Sequence, residues 1–453
     1  MSKFTIHALH EDGQHFVLHY NNQTSALTWA NGEPVIAVQP ASYLQATVVS
    51  ADQPGRKRSI RTLKISLGLS CNYECSYCSQ RFVPHANASN PDDIELFIVQ
   101  LSEALIEPPE RIEFWGGEPL VYWKTFKPLA ERLRGLYPTA QFNLITNGSL
   151  LDVQKNEWLD KWGFNVGLSH DGPGHQARGQ DPLADSAQRA AIMDLYSRLH
   201  PQGRISINAM VHAGNQSRAG VQAWLQAQFG EDISIGEGAF IDPYDEGGLA
   251  ATLKTHGEHL AFRAMAYKEL RQGRVSRMSI AQQRIMDFVQ SIRTARPASA
   301  LGQKCNMDRS DHLAVDLHGR VITCQNVSAS AVAPNGQSHK AGDLSDLNAV
   351  RLRSATHWSQ RKDCASCPVL QLCKGSCMFL EGPLWNSACD AAYSDNVPFL
   401  AAAIEYLTGC IPYYIDGDFR QDRKDVFGQV HGVPQQPRKR VIPILAHDTS
   451  VAA

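Results

Sequence analysis

At 453 residues the chain has room for two or three domains with well-buried cores. Hydrophobic residues make up 43% and charged residues 19%, the balance of a globular protein rather than a disordered or fibrous one. A net charge of -2 excludes a binder of polyanions over the whole molecule, so any basic patch has to be judged locally.

The first residues, MSKFTIHALHEDGQ, contain no apolar stretch long enough for a signal peptide. Residues 1–62 then alternate as short strands (FTIHAL, HFVLHY, SALTWA) with turns between them, a β-rich N-terminal extension. Over residues 63–245 the strand-like segments LKISLGL, RIEFW, FNLIT, FNVGLS, RISINAMV and DISIG alternate with helical patterns such as PDDIELFIVQLSEAL. Pro91 suits a first helical position after Asn90. Six β-α alternations predict an α/β fold with a parallel sheet, most simply a partial (β/α)6 barrel. Residues 246–298 read as a helical linker and 299–410 as a cysteine-dense, loop-rich domain. The apolar run PFLAAAIEYLTGCIPYYI is interrupted by Glu405 and Gly409, so it reads as core helix rather than membrane span. Residues 411–453 read as a polar, partly basic tail. A cytoplasmic location is expected, where reduced thiols make eleven cysteines metal ligands sooner than disulfides.

The stretch GLSCNYECSYCSQR sets Cys71, Cys75 and Cys78 directly after the first barrel strand, at the end where barrels place their chemistry. Thiolates are the usual ligands of iron–sulfur clusters. A four-iron cluster held by three of them keeps one iron open for a chelating substrate or cofactor, whereas a structural zinc site needs four closed ligands. The C-x3-C-x2-C spacing, with Tyr77 before the last cysteine, resembles the radical S-adenosylmethionine (SAM) superfamily. That resemblance implies a [4Fe-4S] cluster whose open iron binds SAM. An electron from a donor such as flavodoxin or ferredoxin then cleaves the cofactor, and the 5'-deoxyadenosyl radical abstracts a hydrogen atom.

Further positions follow the family's order. FWGGEP, with Gly116, Gly117 and Glu118, resembles the GGE motif whose backbone and glutamate hold the methionyl amino group. LITNGS puts Asn147 near the ribose. GLSHDGPGHQARG puts Ser169, Asp171 and Arg178 against the cofactor or the substrate cavity, and INAMVHAGN puts Asn208 at a cofactor-facing position. Taken singly, each of these polar residues reads equally well as a strand-end cap.

Cys305 is followed by thirteen residues, Gly319, four residues and Cys324; then come Cys364, Cys367, Cys373 and Cys377, spaced C-x2-C-x5-C-x3-C, and Cys389. The pattern resembles the SPASM extension of the superfamily, with a zinc ribbon as the alternative. The resemblance implies two auxiliary [4Fe-4S] clusters, one on Cys364, Cys367, Cys373 and Cys389, the other on Cys305, Cys324 and Cys377. Many relatives supply a further cysteine just before the first of these, where ALGQK has none. That cluster is open to substrate or closed by another ligand, with Asp308 and His312 as candidates. Cys410 reads as a buried apolar residue in a helix.

Enzymes with this extension mostly act on peptides. Sulfatase-maturing relatives carry an aspartate base where Gln325 stands, and many peptide-modifying relatives bear a winged-helix domain that the strand-rich first 62 residues do not resemble. Two basic patches point elsewhere: Arg56, Lys57, Arg58, Arg61 and Lys64, and the tail's Arg420, Arg423, Lys424, Arg438, Lys439 and Arg440. They read as solvated surface or as phosphate contacts. SHDGPGHQARGQDPL also resembles radical enzymes of DNA phages that hypermodify thymine, which would place the chain in a host cytoplasm. The leading expectation is an isomerase converting N-linked to C-linked glycinylthymine in DNA, its base extruded at a cost of a few kcal/mol. Maturation of a precursor peptide by crosslinking or oxidation is the alternative, and an iron–sulfur electron-transfer protein a remote one. The expected partners are SAM, an electron donor, and substrate DNA or a precursor peptide, with no membrane.

Overall fold

In a computed structural model, the structure describes residues 3–43, 48–85, 89–230, 233–236, 238–271 and 279–428. Strands β1 (Lys3–His10), β2 (His15–Asn21) and β3 (Ala26–Trp29) pair antiparallel in sequence order. Their alternation puts Phe4, Ile6, Ala8, Leu18, Tyr20 and Leu27 on one buried face. No helix lies among the described residues of this extension.

The next elements alternate as expected: β4 (Thr62–Ser66), α1 (Ile94–Ala104), β5 (Arg111–Trp115), α2 (Trp123–Leu136), β6 (Gln141–Thr146), α3 (Val153–Lys161), β7 (Phe164–Ser169), α4 (Ser186–Leu199), β8 (Ile205–Asn208) and α5 (Arg218–Phe229). The five strands are parallel neighbours throughout. Of the expected sixth strand, DISIG, the described part makes a parallel bridge from Ile235 to Ile207. Pro91 opens a one-turn helix capped by the Asn90 side chain and leading into α1. Phe114, Phe126, Phe142 and Phe164 interlock between sheet and helices, with ring centroids 5.0 Å apart for Phe114–Phe126 and 5.4 Å for Phe142–Phe164. Because side chains alternate along a strand, Lys64, Glu113 and Asn143 project to the other face.

Helices α6 (Glu246–Ala250), α7 (His256–Arg271) and α8 (Ser279–Arg293) follow. The cysteine-rich region is then continuous with the barrel: β9 (His312–Asp316) pairs parallel with β4, and β10 (Arg320–Ile322) and β11 (Lys340–Asp343) extend the sheet antiparallel. The order β11-β10-β9-β4-β5-β6-β7-β8 is that of an open sheet. Two one-turn helices, α9 (Lys362–Ala365) and α10 (Leu370–Cys373), precede the long α11 (Gly382–Thr408).

The chain does not become a polar tail at residue 411. Gly409 ends α11 with φ +71°, and β12 (Cys410–Asp416) pairs antiparallel with β1. Pro412 is tolerated because β12 is an edge strand with a register shift at that point. Cys410 is buried as predicted, but as the first residue of this strand rather than in a helix. No helix among the described residues is long and apolar enough to cross a membrane.

Candidate active site

The loop after β4 carries Cys71, which is exposed, and Cys75 and Cys78, which are half-buried; all eleven cysteines are free thiols. Its path is fixed by the loop after β5. Gly117 N donates to Gly68 O at 3.0 Å, Glu118 N to Ser70 O at 3.0 Å, and Ser70 N to the Tyr122 hydroxyl at 2.8 Å. A Cβ at Gly117 would run into the carbonyls of Leu69 and Ser70, so the paired glycines are what lets the two loops meet backbone to backbone. Glu118 is buried and turned into the protein: it accepts from Leu120 N (3.0 Å), Thr146 Oγ1 (2.8 Å) and Asn147 N (2.8 Å). Burial pushes its pKa up, and these three donors oppose the rise. These bonds brace the loop after β5 against the end of β6.

The other expected positions gather at the C-terminal ends of the strands. Asn147 Nδ2 donates to Asn72 Oδ1 at 3.0 Å, tying β6 to the cysteine loop. Ser169 and Asn208 are register partners at the ends of β7 and β8, both half-buried. A Cβ at Gly167 would lie 2.5 Å from Asn208 Nδ2. Tyr77, Asp171 and Arg178 meet one another. The Tyr77 hydroxyl donates to Asp171 Oδ2 and accepts from Arg178 Nη1 at 3.1 Å, while Asp171 Oδ1 takes Met210 N at 2.9 Å. His170 is likewise engaged inward, 3.0 Å from Asp181 and stacked on Trp224.

Lys64, which the sequence placed in a basic patch, and Glu113, which it did not single out, lie opposite each other inside the sheet. Lys64 and Glu113 are register partners on β4 and β5, with Nζ 3.6 Å from Oε2, and Lys64 also donates to Gln325 Oε1 at 3.3 Å. Gln80, two residues after Cys78, donates to Gln325 O and Asn326 Oδ1, each at 3.4 Å, immediately after Cys324. Strand parity was the available signal for Lys64 and Glu113; nothing local marked Gln80.

Cys364, Cys367, Cys373 and Cys389 line one common pocket. Burial, reinforced by neighbouring thiols, pushes Cys364 well up, Cys367 to about 12 and Cys373 to about 11. Crowded buried thiols of this kind need added positive charge to ionise, and cluster irons supply it. Among the described residues no three His, Cys, Asp or Glu converge to hold a single ion. A cubane makes a different demand, since each thiolate binds its own iron. The donor set therefore fits a cluster here. Cys305, Cys324 and Cys377 gather beside β9, where burial raises all three pKa values, Cys377 to about 12. Asp308 lies near Cys305, but both its oxygens accept from Gln303 N at 3.0 Å; His312 Nδ1 faces Asp311 at 2.9 Å. Half-buried Tyr244 instead packs against the same apolar cluster as Cys377.

The basic patches are only partly open surface: Lys57, Arg58 and Arg61 are exposed, and the other described members are buried or paired. Arg56 is buried and donates to the carbonyls of Met307 and Arg309. Arg58 caps the end of α1 through the carbonyls of Glu103 and Ala104, Arg61 pairs with Glu110, and Lys64 points into the sheet interior. Arg420 pairs with Asp390 and Asp422, Lys424 with Asp416, and Arg423 is buried beside Cys389. Arg438, Lys439 and Arg440 lie outside the described residues.

No family model matches the chain. It is 25% identical over 143 residues to the radical SAM cyclopropyl synthase TigE of Paramaledivibacter caminithermalis, covering 28% of this chain and 30% of that protein. A GTP 3',8-cyclase of Pelotomaculum thermopropionicum is 33% identical over 99 residues, covering 21% of this chain and 29% of that protein. The chain thus spans less than a third of either relative's length. A serine-type anaerobic sulfatase-maturating enzyme of Klebsiella aerogenes is 23% identical over 367 residues, covering 74% and 84%. Among solved structures, native anSMEcpe with bound AdoMet and Kp18Cys peptide gives a TM-score of 0.52 at 18% identity, over 76% of this chain and 99% of that one. At that identity the likeness is one of fold.

Proposed function

We propose that this chain, which resembles radical SAM enzymes of the SPASM type in sequence and in fold, abstracts a hydrogen atom from an amino-acid carbon of a peptide, preparing it for crosslinking or oxidation. The observation that carries this reading is the direct join of the two cysteine regions through Gln80, Gln325 and Asn326. It would set a cluster on Cys71, Cys75 and Cys78 beside the expected auxiliary cluster, with the Lys64–Glu113 pair on the same interior face. The relative matched over 74% of the chain matures a sulfatase, itself a protein, which supports a polypeptide substrate.

When bound, SAM and a reduced four-iron cluster supply the 5'-deoxyadenosyl radical. Cys71, Cys75 and Cys78 would hold that cluster. Gly116, Gly117 and Glu118 would hold the cysteine loop in place, while Asn147, Ser169 and Asn208 would border the cofactor at the strand ends. Tyr77, Asp171 and Arg178 would form one wall of its site. Cys364, Cys367, Cys373 and Cys389 would hold one auxiliary cluster; Cys305, Cys324 and Cys377 would hold the other, with Tyr244 at its side. Glu113, whose Oε2 takes Trp115 Nε1 at 3.0 Å, would accept the substrate's proton in place of the aspartate that Gln325 replaces, and the auxiliary clusters, when bound, would supply the acceptor for the remaining electron.

The charge argument for the nucleobase isomerase is weakened, because Arg56, Lys64 and Arg423 are buried and Arg61, Arg420 and Lys424 pair with acidic neighbours. With Arg58 held by the carbonyls that end α1, this leaves Lys57 as the exposed cation without a side-chain partner among those described. The test is to supply SAM, a reductant and a peptide encoded beside the gene, deuterated at Cα and Cβ. Deuterium in 5'-deoxyadenosine and a peptide that has lost a pair of hydrogens support the reading. With DNA carrying N-linked glycinylthymine as the parallel substrate, an isomer of unchanged mass with label transfer from its glycine would overturn it.

A further inference from the structure

Arg423 lies in the turn after β12 and is 4% exposed. Its Nη2 donates to Cys389 Sγ at 3.3 Å and to Asp390 Oδ1 at 2.6 Å. The Tyr393 hydroxyl donates to the Arg423 carbonyl at 2.7 Å, and the Tyr393 ring lies 4.9 Å from the guanidinium carbon. Backbone and side chain are thus both held. The guanidinium lines the pocket that Cys364, Cys367, Cys373 and Cys389 share, and its Nε is buried without a hydrogen-bond partner.

A buried cation requires opposing charge. Asp390 provides some, but Arg420 shares that carboxylate at 2.8 Å. A guanidinium keeps its proton at any ordinary pH, so the charge persists in this buried position. The charge therefore faces the sulfur ligands, and it comes from a segment beyond the cysteine-rich region.

We propose that Arg423 is an outer-sphere partner of the auxiliary cluster at Cys389, raising its reduction potential through the N–H···S bond and a fixed positive charge. The inference rests on the reading that Cys364, Cys367, Cys373 and Cys389 hold an iron–sulfur cluster. Reduction adds negative charge to a cluster, so a cation at the ligand sulfur stabilises the reduced form more than the oxidised one. Hydrogen bonds to cluster sulfurs act in the same direction. Asp390 opposes this effect, which gives the proposal a test of sign. Arg423 is a positioning residue here and takes no part in the bond-breaking steps.

The experiment is a potentiometric titration of the anaerobically reconstituted holoprotein, followed by electron paramagnetic resonance, with iron content measured first. Arg423→Met should retain its iron and titrate at lower potential. Asp390→Asn keeps the Arg423–Cys389 bond and removes the opposing anion, so the same signal should move to higher potential. A purely structural role for Arg423 predicts no such opposed pair. If Arg423→Met does not hold its cluster, Asp390→Asn still decides. Full iron with the wild-type potential in Asp390→Asn overturns the proposal, as does an unshifted Arg423→Met. If Cys364→Ala and wild type carry equal iron, it is the cluster reading that has failed.

Discussion

Replacing Glu118 by glutamine separates a brace from a cofactor ligand. Its two oxygens accept from two backbone amides and a hydroxyl, all buried. The glutamine NH2 must face one of these donors, leaving a buried N–H unpaired and the remaining bonds without their charged acceptor. Together this is worth about 2–4 kcal/mol. For a unit the size of the parallel-sheet region, at roughly 2 °C per kcal/mol, thermal unfolding should begin at least about 4 °C lower. Differential scanning fluorimetry without SAM reads this directly, with auxiliary iron unchanged as the control. An unaltered Tm, together with weaker SAM binding, would refute the reasoning and restore Glu118 to the cofactor.

Arg56→Met should also lower the unfolding temperature, by the equivalent of about 2–4 kcal/mol, because it strands the carbonyls of Met307 and Arg309; a surface phosphate contact would leave Tm alone. Cys364→Ala and Cys367→Ala should lose iron and stability together, since ligation substitutes for a hydrophobic core in a loop-rich segment. Cys410→Ala should leave iron content unchanged, and a lost cluster there would mean the ligand set is wrong. Glu113→Gln should leave substrate-free cleavage of SAM intact while slowing substrate turnover by about 10²-fold or more, measured as 5'-deoxyadenosine against modified peptide.

The parallel strands were legible because each is a short β-branched or aromatic run bounded by turn residues. The cysteine sites were legible because ligand spacing is local. What failed was reading charge along the chain. Arg56, Lys64 and Arg423 occur in runs of basic residues, yet burial is decided by contacts distant in the chain: Arg56 with Met307, Lys64 with Gln325, Arg423 with Cys389. Strand parity alone would have turned Lys64 inward. The tail was misread for a related reason: CIPYYI looks like the end of an apolar run until β1, at the other end of the chain, offers it an edge.

The most direct test of the central claim compares wild type with a variant carrying Cys71→Ala, Cys75→Ala and Cys78→Ala. Iron is counted after anaerobic reconstitution, and 5'-deoxyadenosine after adding SAM and a reductant. Wild type should bind about twelve irons and cleave SAM; the variant should hold about eight and release no 5'-deoxyadenosine. Equal iron in both proteins, cleavage that survives the triple substitution, or zinc in place of iron would contradict the claim.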